Sequence, residues 1–215
     1  MSYSGKVNSM NWKLMIAYLF IIGGFAYASY SGVSYYQKLS VVEEISTPVP
    51  DKTEIAKYEK QKKLQGEKIS QDWIIIPKHE RPKPGENFGF LQIPKINLKV
   101  KVYEGTHEKE LANGVGHYRR SVFPGEPDNA VLSGHRDTTF RRLGELKKGD
   151  LLQVSTKHGV FIYRVTKTWV THASDRSVIV SHDEPILTLT TCYPFSYIGP
   201  ASQRFVVQSK LVKRL

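Results

Sequence analysis

A second cysteine is missing from this 215-residue sequence, so Cys192 has no partner for a disulfide within the chain. Histidine, cysteine and acidic residues nowhere cluster at metal-ligand spacing, and we therefore expect neither a metal nor another cofactor. The formal net charge is +11, but no run of basic residues interleaved with aromatic residues occurs. This absence disfavours nucleic acid as the partner of the positive charge.

Charged residues are also absent between positions 14 and 30, where the sequence reads LMIAYLFIIGGFAYASY, and the apolar and aromatic stretch continues to Tyr36. A helix crosses the hydrocarbon layer of a membrane in about 20 residues, so we predict a transmembrane anchor over 14–36. Lys6 and Lys13 precede this stretch and favour an amino terminus inside the cell. The chain would then cross the cell membrane once, with its remaining residues outside.

Two other interpretations of the same stretch stay open. A signal peptide cleaved after Ala26-Tyr27-Ala28 has the small residues that such a site requires, and a buried core helix is also apolar. We favour the anchor over cleavage because the apolar stretch continues past Ala28. The length of the stretch and the polar segment after it disfavour a core helix.

The composition predicts a tail at 1–13, the anchor at 14–36, a stalk or linker at 37–86 and a folded domain at 87–215. Residues 51–68 are mostly charged and predict a solvated stalk helix or a flexible spacer, in which Glu59 and Lys63 are spaced for a helical ion pair. The prolines of 74–86 exclude regular structure there.

From residue 87 the sequence changes to short β-type runs separated by turn residues. Eight strands at this spacing favour an all-β fold, a small closed barrel with one or two short helices. The predicted strands are 88–93, 98–103, 116–120, 130–133, 150–155, 159–171, 186–191 and 203–211, with helices at 108–113 and 138–146.

The same region, 87–215, holds 19 Lys and Arg residues against 11 Asp and Glu. A surface with this excess of positive charge would attract anionic lipids or wall polymers.

Strand alternation separates Cys192 from the apolar face of its strand. Leu187, Leu189 and Thr191 share one face, whereas Cys192 lies on the other face, where the strand ends and a loop begins. A free cysteine is often an inert core residue, but an unpaired thiol in an exported chain, at a strand end, favours a reactive group.

A reactive thiol requires a histidine, a cation or both, because few thiols are ionised at neutral pH. His135 follows Gly134 at the end of a predicted strand, a placement like that of Cys192. His117 and His172 stay open as alternatives by position alone. Arg204 lies within the last strand, where it either faces solvent or, if it points toward Cys192, could hold a carbonyl or an oxyanion.

The motifs NAVLSGHRDTTFRRLGELKKGD, LTLTTCYPF and SQRFVV resemble those of sortases, the membrane-anchored cysteine transpeptidases of Gram-positive bacteria, and class D in particular. The resemblance extends from about residue 86 to residue 212. It implies a closed eight-stranded barrel in which Cys192 is the nucleophile, His135 the general acid and base, and Arg204 the stabiliser of the intermediates. His117 also matches the family and is assigned to structure. Residues 71–86 lack the lid motif of class C members.

The resemblance further implies the reaction and its partners. A protein with an LPxT-type sorting signal would be cleaved after threonine, held as a thioester and transferred to an amine of peptidoglycan or of its lipid-linked precursor. A secreted cysteine protease with water as acceptor stays open, as does a non-catalytic, basic wall-binding module that uses Cys192 only as core filler.

Overall fold

The computed structural model describes residues 12–39, 48–65, 73–196 and 199–215. It divides into two compact units, Met1–Lys38 and Leu39–Leu215. Most of the predicted tail at 1–13, including Lys6, lies outside the described residues, as do residues 40–47 and 66–72 of the predicted stalk.

The first unit contains one helix, α1 (Trp12–Leu39). Its window Met15–Tyr36 has a mean hydropathy of 1.4, and none of that window is buried. By length and composition this helix is able to cross a membrane. The lack of burial disagrees with the alternative of a soluble core helix.

The second unit begins with helix α2 (Lys52–Leu64), which starts at Asp51, whose side chain accepts a hydrogen bond from the Thr53 amide. Of the two predicted alternatives the helix forms, and most of its residues are exposed, but Ile55 is fully buried. Ile55 packs in a small apolar cluster on the outside of the barrel. The other buried members of that cluster are Leu151, Ile162 and Val212.

Ion pairs reinforce the contact between α2 and the barrel. Glu59 pairs with Arg164 at 2.7 Å, although its spacing to Lys63 had predicted a pair within the helix. Lys52 donates to the Asp150 carboxylate at 2.6 Å, and Glu54 accepts from Lys213 at 3.1 Å. The charged residues of this segment therefore bind the barrel as well as face the solvent.

Eight strands close a barrel in the neighbour order β1-β2-β3-β4-β7-β8-β6-β5, and β5 pairs with β1. The pairs β2–β3 and β4–β7 are parallel and the others antiparallel. This architecture confirms the predicted closed barrel. The strands are β1 (Asn87–Ile93), β2 (Leu98–Glu104), β3 (Val115–His117), β4 (Asp128–Ser133), β5 (Leu151–Thr156), β6 (Gly159–His172), β7 (Pro185–Tyr193) and β8 (Gln203–Arg214).

One short helix, α3 (Glu108–Asn113), forms where it was predicted, whereas the predicted helix at 138–146 does not form. That segment contains turns and a single 3-10 helix, Leu143–Glu145. Gly144 interrupts it, and a side chain at this position would lie 2.7 Å from the Phe195 ring. Glycine is a poor residue for a helix interior, and the aromatic ring fills the space that it leaves.

The barrel interior is filled by alternate residues of the strands, which is the pattern that a closed barrel requires. The interior includes Val100, Val102, Leu132, Leu152, Val154, Tyr163, Leu187, Leu189, Val207 and Leu211.

The described part of the linker, 73–86, attaches to the barrel through the Gly125–Glu126 turn. The Ile74 amide donates to the Gly125 carbonyl and the Ile76 amide to the Glu126 carboxylate, which also pairs with Arg81.

Replacement of Ile55 by alanine tests whether α2 is held by its apolar contact. Removing a fully buried isoleucine side chain costs about 2–4 kcal/mol, and a helix of this length is marginal once it is detached. We expect Ile55→Ala to accelerate amide hydrogen exchange in α2 at least 10-fold in the full chain in detergent micelles, as measured by mass spectrometry. Lys57→Ala, at an exposed position of α2, serves as the control. Equal exchange in both variants would contradict the docked helix.

Candidate active site

Cys192 and Arg204 are direct partners in the antiparallel pairing of β7 with β8. Side chains that face each other in this way have Cβ atoms about 4.5–5.5 Å apart, on the same face of the sheet. Leu187, Leu189 and Thr191 point into the core, so alternation turns Cys192 to the outer face. The thiol is half-buried there, accessible to a ligand.

His135 follows the strand that runs parallel to β7. The register of β4 with β7 ends at the pair Ser133 and Thr190. Two further hydrogen bonds continue it: the Gly134 amide donates to the Thr190 carbonyl at 3.2 Å, and the Thr191 hydroxyl donates to the Gly134 carbonyl at 2.7 Å. The next residue pair in this register is His135 and Cys192.

Gly134 makes this close approach possible. A side chain at Gly134 would lie 2.7 Å from the ring of Phe140, which is fully buried. The Phe140 amide in turn donates to the His135 carbonyl at 2.8 Å. The turn after β4 is thereby packed tightly, and it holds the backbone of His135 in one position.

The imidazole of His135 lies beside an acidic side chain. Its Nε2 atom is shielded from solvent and 3.5 Å from Oε2 of Glu108, and it has no hydrogen-bond partner among the described residues. Glu108 begins α3 and is 72% exposed at its side chain, whereas His135 is 28% exposed. Solvent weakens a contact of this kind, because the Glu108 side chain is largely exposed.

Two arginines organise the backbone around the thiol. Nη1 of Arg204 donates to the carbonyls of Ala201 and Gln203 at 3.0 and 2.9 Å. Arg136, the residue after His135, donates to the Gly199 carbonyl at 2.5 Å. Both contacts fasten the β7–β8 loop, so the guanidinium of Arg204 is already fixed beside Cys192 by its own backbone.

A groove of about 460 Å³ is lined in part by Arg204, the cross-strand partner of Cys192. Arg204 and Thr190 line one part of it, and Tyr118 and Val131 another. The loop between β6 and β7, residues 173–184, supplies the opposite wall. From this loop the lining residues include Asp175, Arg176, Val178 and Ile179.

Buried Asn129 attaches this loop to the barrel. Its side-chain amide donates to the carbonyls of Val178 and Val180, and its Oδ1 atom accepts from the Thr188 hydroxyl at 2.7 Å. Asp128 accepts from the His182 amide at 2.8 Å. The loop is thus bound to β4 at two points, and the groove has a fixed wall.

Hydrogen bonds to two aspartates in this region lower the pKa values of their carboxyl groups. Burial alone would raise the pKa of Asp128, but hydrogen bonds from the His182 amide, the Ser181 hydroxyl and the Asn129 amide outweigh it, and the pKa is lowered. Hydrogen bonds from Thr171 and Ser177 lower the pKa of Asp175. Asp128 and Asp175 are therefore both ionised at neutral pH.

The two histidines left open by position differ in their environments. His117 is fully buried, with Nδ1 2.6 Å from the Glu104 carboxylate and Nε2 2.9 Å from the Val122 carbonyl. It stacks on Phe123 and has a structural role. His172 is exposed, contacts Ser174 and lines the groove together with Arg204. Among the described residues no group of three or more histidine, cysteine or acidic side chains could hold a metal ion.

Sequence reasoning did not identify Glu108 or Asn129 as parts of this site. Glu108 lies 27 positions before His135, and nothing in its sequence context indicates that the two side chains meet. Asp137, which is near His135 in sequence, is exposed instead. Asn129 lies within an apolar strand, and a polar residue there was the available signal that it binds another segment.

The comparisons with known proteins agree with the barrel fold. The family model described as the sortase domain matches residues 91–212, more than half of the chain, so the chain belongs to the sortase family. Sortases are cysteine transpeptidases, and this chain is an enzyme of that class. The family in general acts on proteins that carry sorting signals and on peptidoglycan precursors.

Within the family, the chain is similar to class D members. It is 44% identical to Sortase D of Bacillus subtilis over 154 residues, which cover 71% of this chain and 78% of that protein. The catalytic domain of B. anthracis SrtD matches with 42% identity and a TM-score of 0.54, covering 65% of this chain and 96% of that one. A Clostridium perfringens Sortase D5 transpeptidase matches with 27% identity and a TM-score of 0.56, covering 73% and 89%.

The lowered pKa values of Asp128 and Asp175 predict a loop that loosens only in acid. A carboxylate whose pKa is depressed by folding stabilises the folded state above its unfolded-state pKa, and the effect is lost as the pH falls through the folded value. We expect the amide resonances of Ser177 and Asn129, which donate to Asp175 and Asp128, to stay constant down to about pH 5 and to move below about pH 4. An NMR titration measures this. Asp128→Asn should abolish the movement at Asn129 alone; movement centred near neutral pH would contradict the assignment.

Proposed function

We propose that the enzyme cleaves an LPxT-type sorting signal after its threonine and transfers the protein to an amine of peptidoglycan or of its lipid-linked precursor. Cys192 is the nucleophile in this proposal, His135 the general acid and base, and Arg204 the group that stabilises the oxyanion. The observation that carries it is the cross-strand pair of Cys192 and Arg204, with His135 next in register, together with a peptide-sized groove that Arg204 lines.

The first half of the reaction forms a thioester. The Cys192 thiolate attacks the threonine carbonyl carbon, and the carbonyl electrons move onto oxygen to give a tetrahedral oxyanion. This intermediate collapses when the bond to the leaving nitrogen breaks and the His135 imidazolium gives that nitrogen a proton. The segment after threonine departs as an amine, and the acyl group stays on sulfur.

The second half reverses these steps with a different amine. The neutral His135 accepts a proton from the incoming amine as the nitrogen attacks the thioester carbon. The tetrahedral intermediate then expels the Cys192 thiolate and leaves a new amide bond. The net reaction exchanges one amine for another and needs no cofactor.

Arg204 suits the oxyanion because its guanidinium is always charged and is already held by two backbone carbonyls. Nη1 of Arg204 donates both of these hydrogen bonds. A donor that is fixed before the reaction stabilises developing charge without first reorganising, which is the main source of rate in sites of this kind.

The groove suits the part of the signal that stays bound during the reaction. Its volume of about 460 Å³ is in the usual range for ligand pockets. Apolar and aromatic residues (Val131, Val178, Ile179 and Tyr118) line it, and they suit a leucine and a proline.

We also propose that α1 anchors the enzyme in the cell membrane with its amino terminus inside and the domain of residues 87–215 outside, joined by a linker at 37–86. The length and apolarity of α1 support this. An anchor of this kind holds the thioester near lipid-linked amines, and so raises their effective concentration relative to a freely diffusing enzyme.

Substitutions of the nucleophile and the base test the proposal directly. Cys192→Ala and His135→Asn should each lower the rate of amine-dependent transfer by at least about 10³-fold, because a dyad acts as a unit. The assay uses the full chain in detergent micelles, an LPxTA peptide and a small amine, and product is followed by mass spectrometry. His79→Asn removes a histidine from the exposed linker and should leave the rate unchanged.

Loss of the oxyanion stabiliser should act on kcat. We expect Arg204→Ala to lower kcat by about 10²–10³-fold with little change in KM, because one oxyanion donor contributes that much in other acyl-transfer enzymes. Arg142→Ala, an exposed arginine paired with Glu145, is the matched control. Hydrolysis at the same rate with and without amine would show a protease instead and would overturn the transpeptidase assignment.

A further inference from the structure

A second pocket of about 350 Å³ adjoins the groove at the end away from Arg204. The two cavities share Tyr118, Arg176 and Ile179, so a bound chain could pass from one to the other. Arg120 and Arg176 both line the second pocket, from different elements: Arg120 follows β3, and Arg176 begins the 3-10 helix of the β6–β7 loop. Two arginines therefore line one small cavity.

The acidic side chains nearest to these arginines are bound to other partners. Asp128, which also lines the pocket, accepts from the Ser181 hydroxyl and from the amides of His182 and Asn129. Asp175 accepts from Thr171 and Ser177. Across the described residues, neither Arg120 nor Arg176 forms a hydrogen bond or an ion pair. The pocket is lined by two arginines and a single acidic residue, Asp128, so its lining carries a net positive charge.

The strand register gives the distance from the thiol to this pocket. Asp128 pairs with Pro185, which is seven residues before Cys192 on β7. Seven strand residues span about 23 Å, and the four residues of an extended LPxT motif span about 13 Å. The remaining distance of about 10 Å corresponds to about three extended residues.

In the proposed function, the retained part of the substrate occupies this groove. After the thioester forms, the acyl segment stays bound while the leaving segment departs, and the incoming amine approaches from the vacated side. With this placement, the residues that precede the motif continue along the groove, toward Arg120 and Arg176.

We propose that Arg120 and Arg176 form an anion subsite for an acidic side chain of the sorted protein, about three residues before the LPxT motif. This inference rests on the proposed function. It adds a specificity element outside the four-residue motif, and it assigns a role to part of the positive charge of the domain.

Paired peptides test the subsite. One peptide carries two glutamates in the three residues before Leu-Pro-Ala-Thr-Ala, and the other carries two glutamines there. We expect the full chain in detergent micelles to prefer the glutamate peptide by about 5-fold in kcat/KM, with the difference in KM, because exposed ion pairs contribute modestly and are screened by salt. Raising the ionic strength should reduce the preference.

Arginine substitutions locate the preference in the molecule. The double variant Arg120→Gln/Arg176→Gln should turn over both peptides equally, at the rate that the wild type shows with the glutamine peptide. Lys157→Gln removes an exposed charge elsewhere on the domain and should keep the 5-fold preference. An unchanged preference in the double variant, or equal turnover of both peptides by the wild type, overturns the subsite while leaving the proposed function intact.

Two further outcomes are distinguishable. If the double variant raises the KM of a diphosphate-bearing lipid amine and leaves the peptide preference unchanged, the arginines serve the acceptor and the inference is wrong. If the wild type turns over neither peptide, the proposed function itself fails, and the subsite with it.

Discussion

The parallel pairing of β4 with β7 is the constraint on which the site depends. Both strands run toward the same end of the barrel, and their register ends at Ser133 and Thr190. The bond from the Thr191 hydroxyl to the Gly134 carbonyl then carries the pairing past the end of β4. Without it, the turn that bears His135 would be free to separate from Cys192. The antiparallel partner β8 brings Arg204 from the other side, so three chain segments meet through strand pairing and the Thr191 hydroxyl bond.

The same strand arrangement separates the site from the segment that leads to it. From β7 to β1, by way of β8, β6 and β5, neighbouring strands are antiparallel, so β1 begins at the barrel end opposite to Cys192. The linker residues that bind the Gly125–Glu126 turn join the barrel at that opposite end. The described part of the linker therefore leaves the thiol open, consistent with the absence of a lid motif in its sequence.

The sequence predicted the eight strands well because each has alternating or continuous apolar residues bounded by glycine, proline or polar turns. Strand alternation alone predicted that Cys192 points outward. The motifs shared with the family predicted site roles for His135 and Arg204. Local patterns failed where a distant segment decides the conformation. Residues 138–146 are rich enough in apolar residues for a helix, but Gly144 and Phe195 pack against each other and prevent it. Ile55 is one apolar residue in a charged segment, and only the cluster on the barrel surface explains why it is buried.

The attachments of the β6–β7 loop have a thermodynamic consequence for recognition. Association always loses conformational entropy when a mobile segment must become ordered around its ligand. Here Asn129 and Asp128 hold the loop before any peptide arrives, and Asp175 stabilises its short 3-10 helix. Less of the interaction free energy is then consumed in ordering the enzyme, and more is left to immobilise an extended, flexible peptide. This would favour the capture of a short motif such as the proposed sorting signal, because the enzyme contributes a wall that is already held in place.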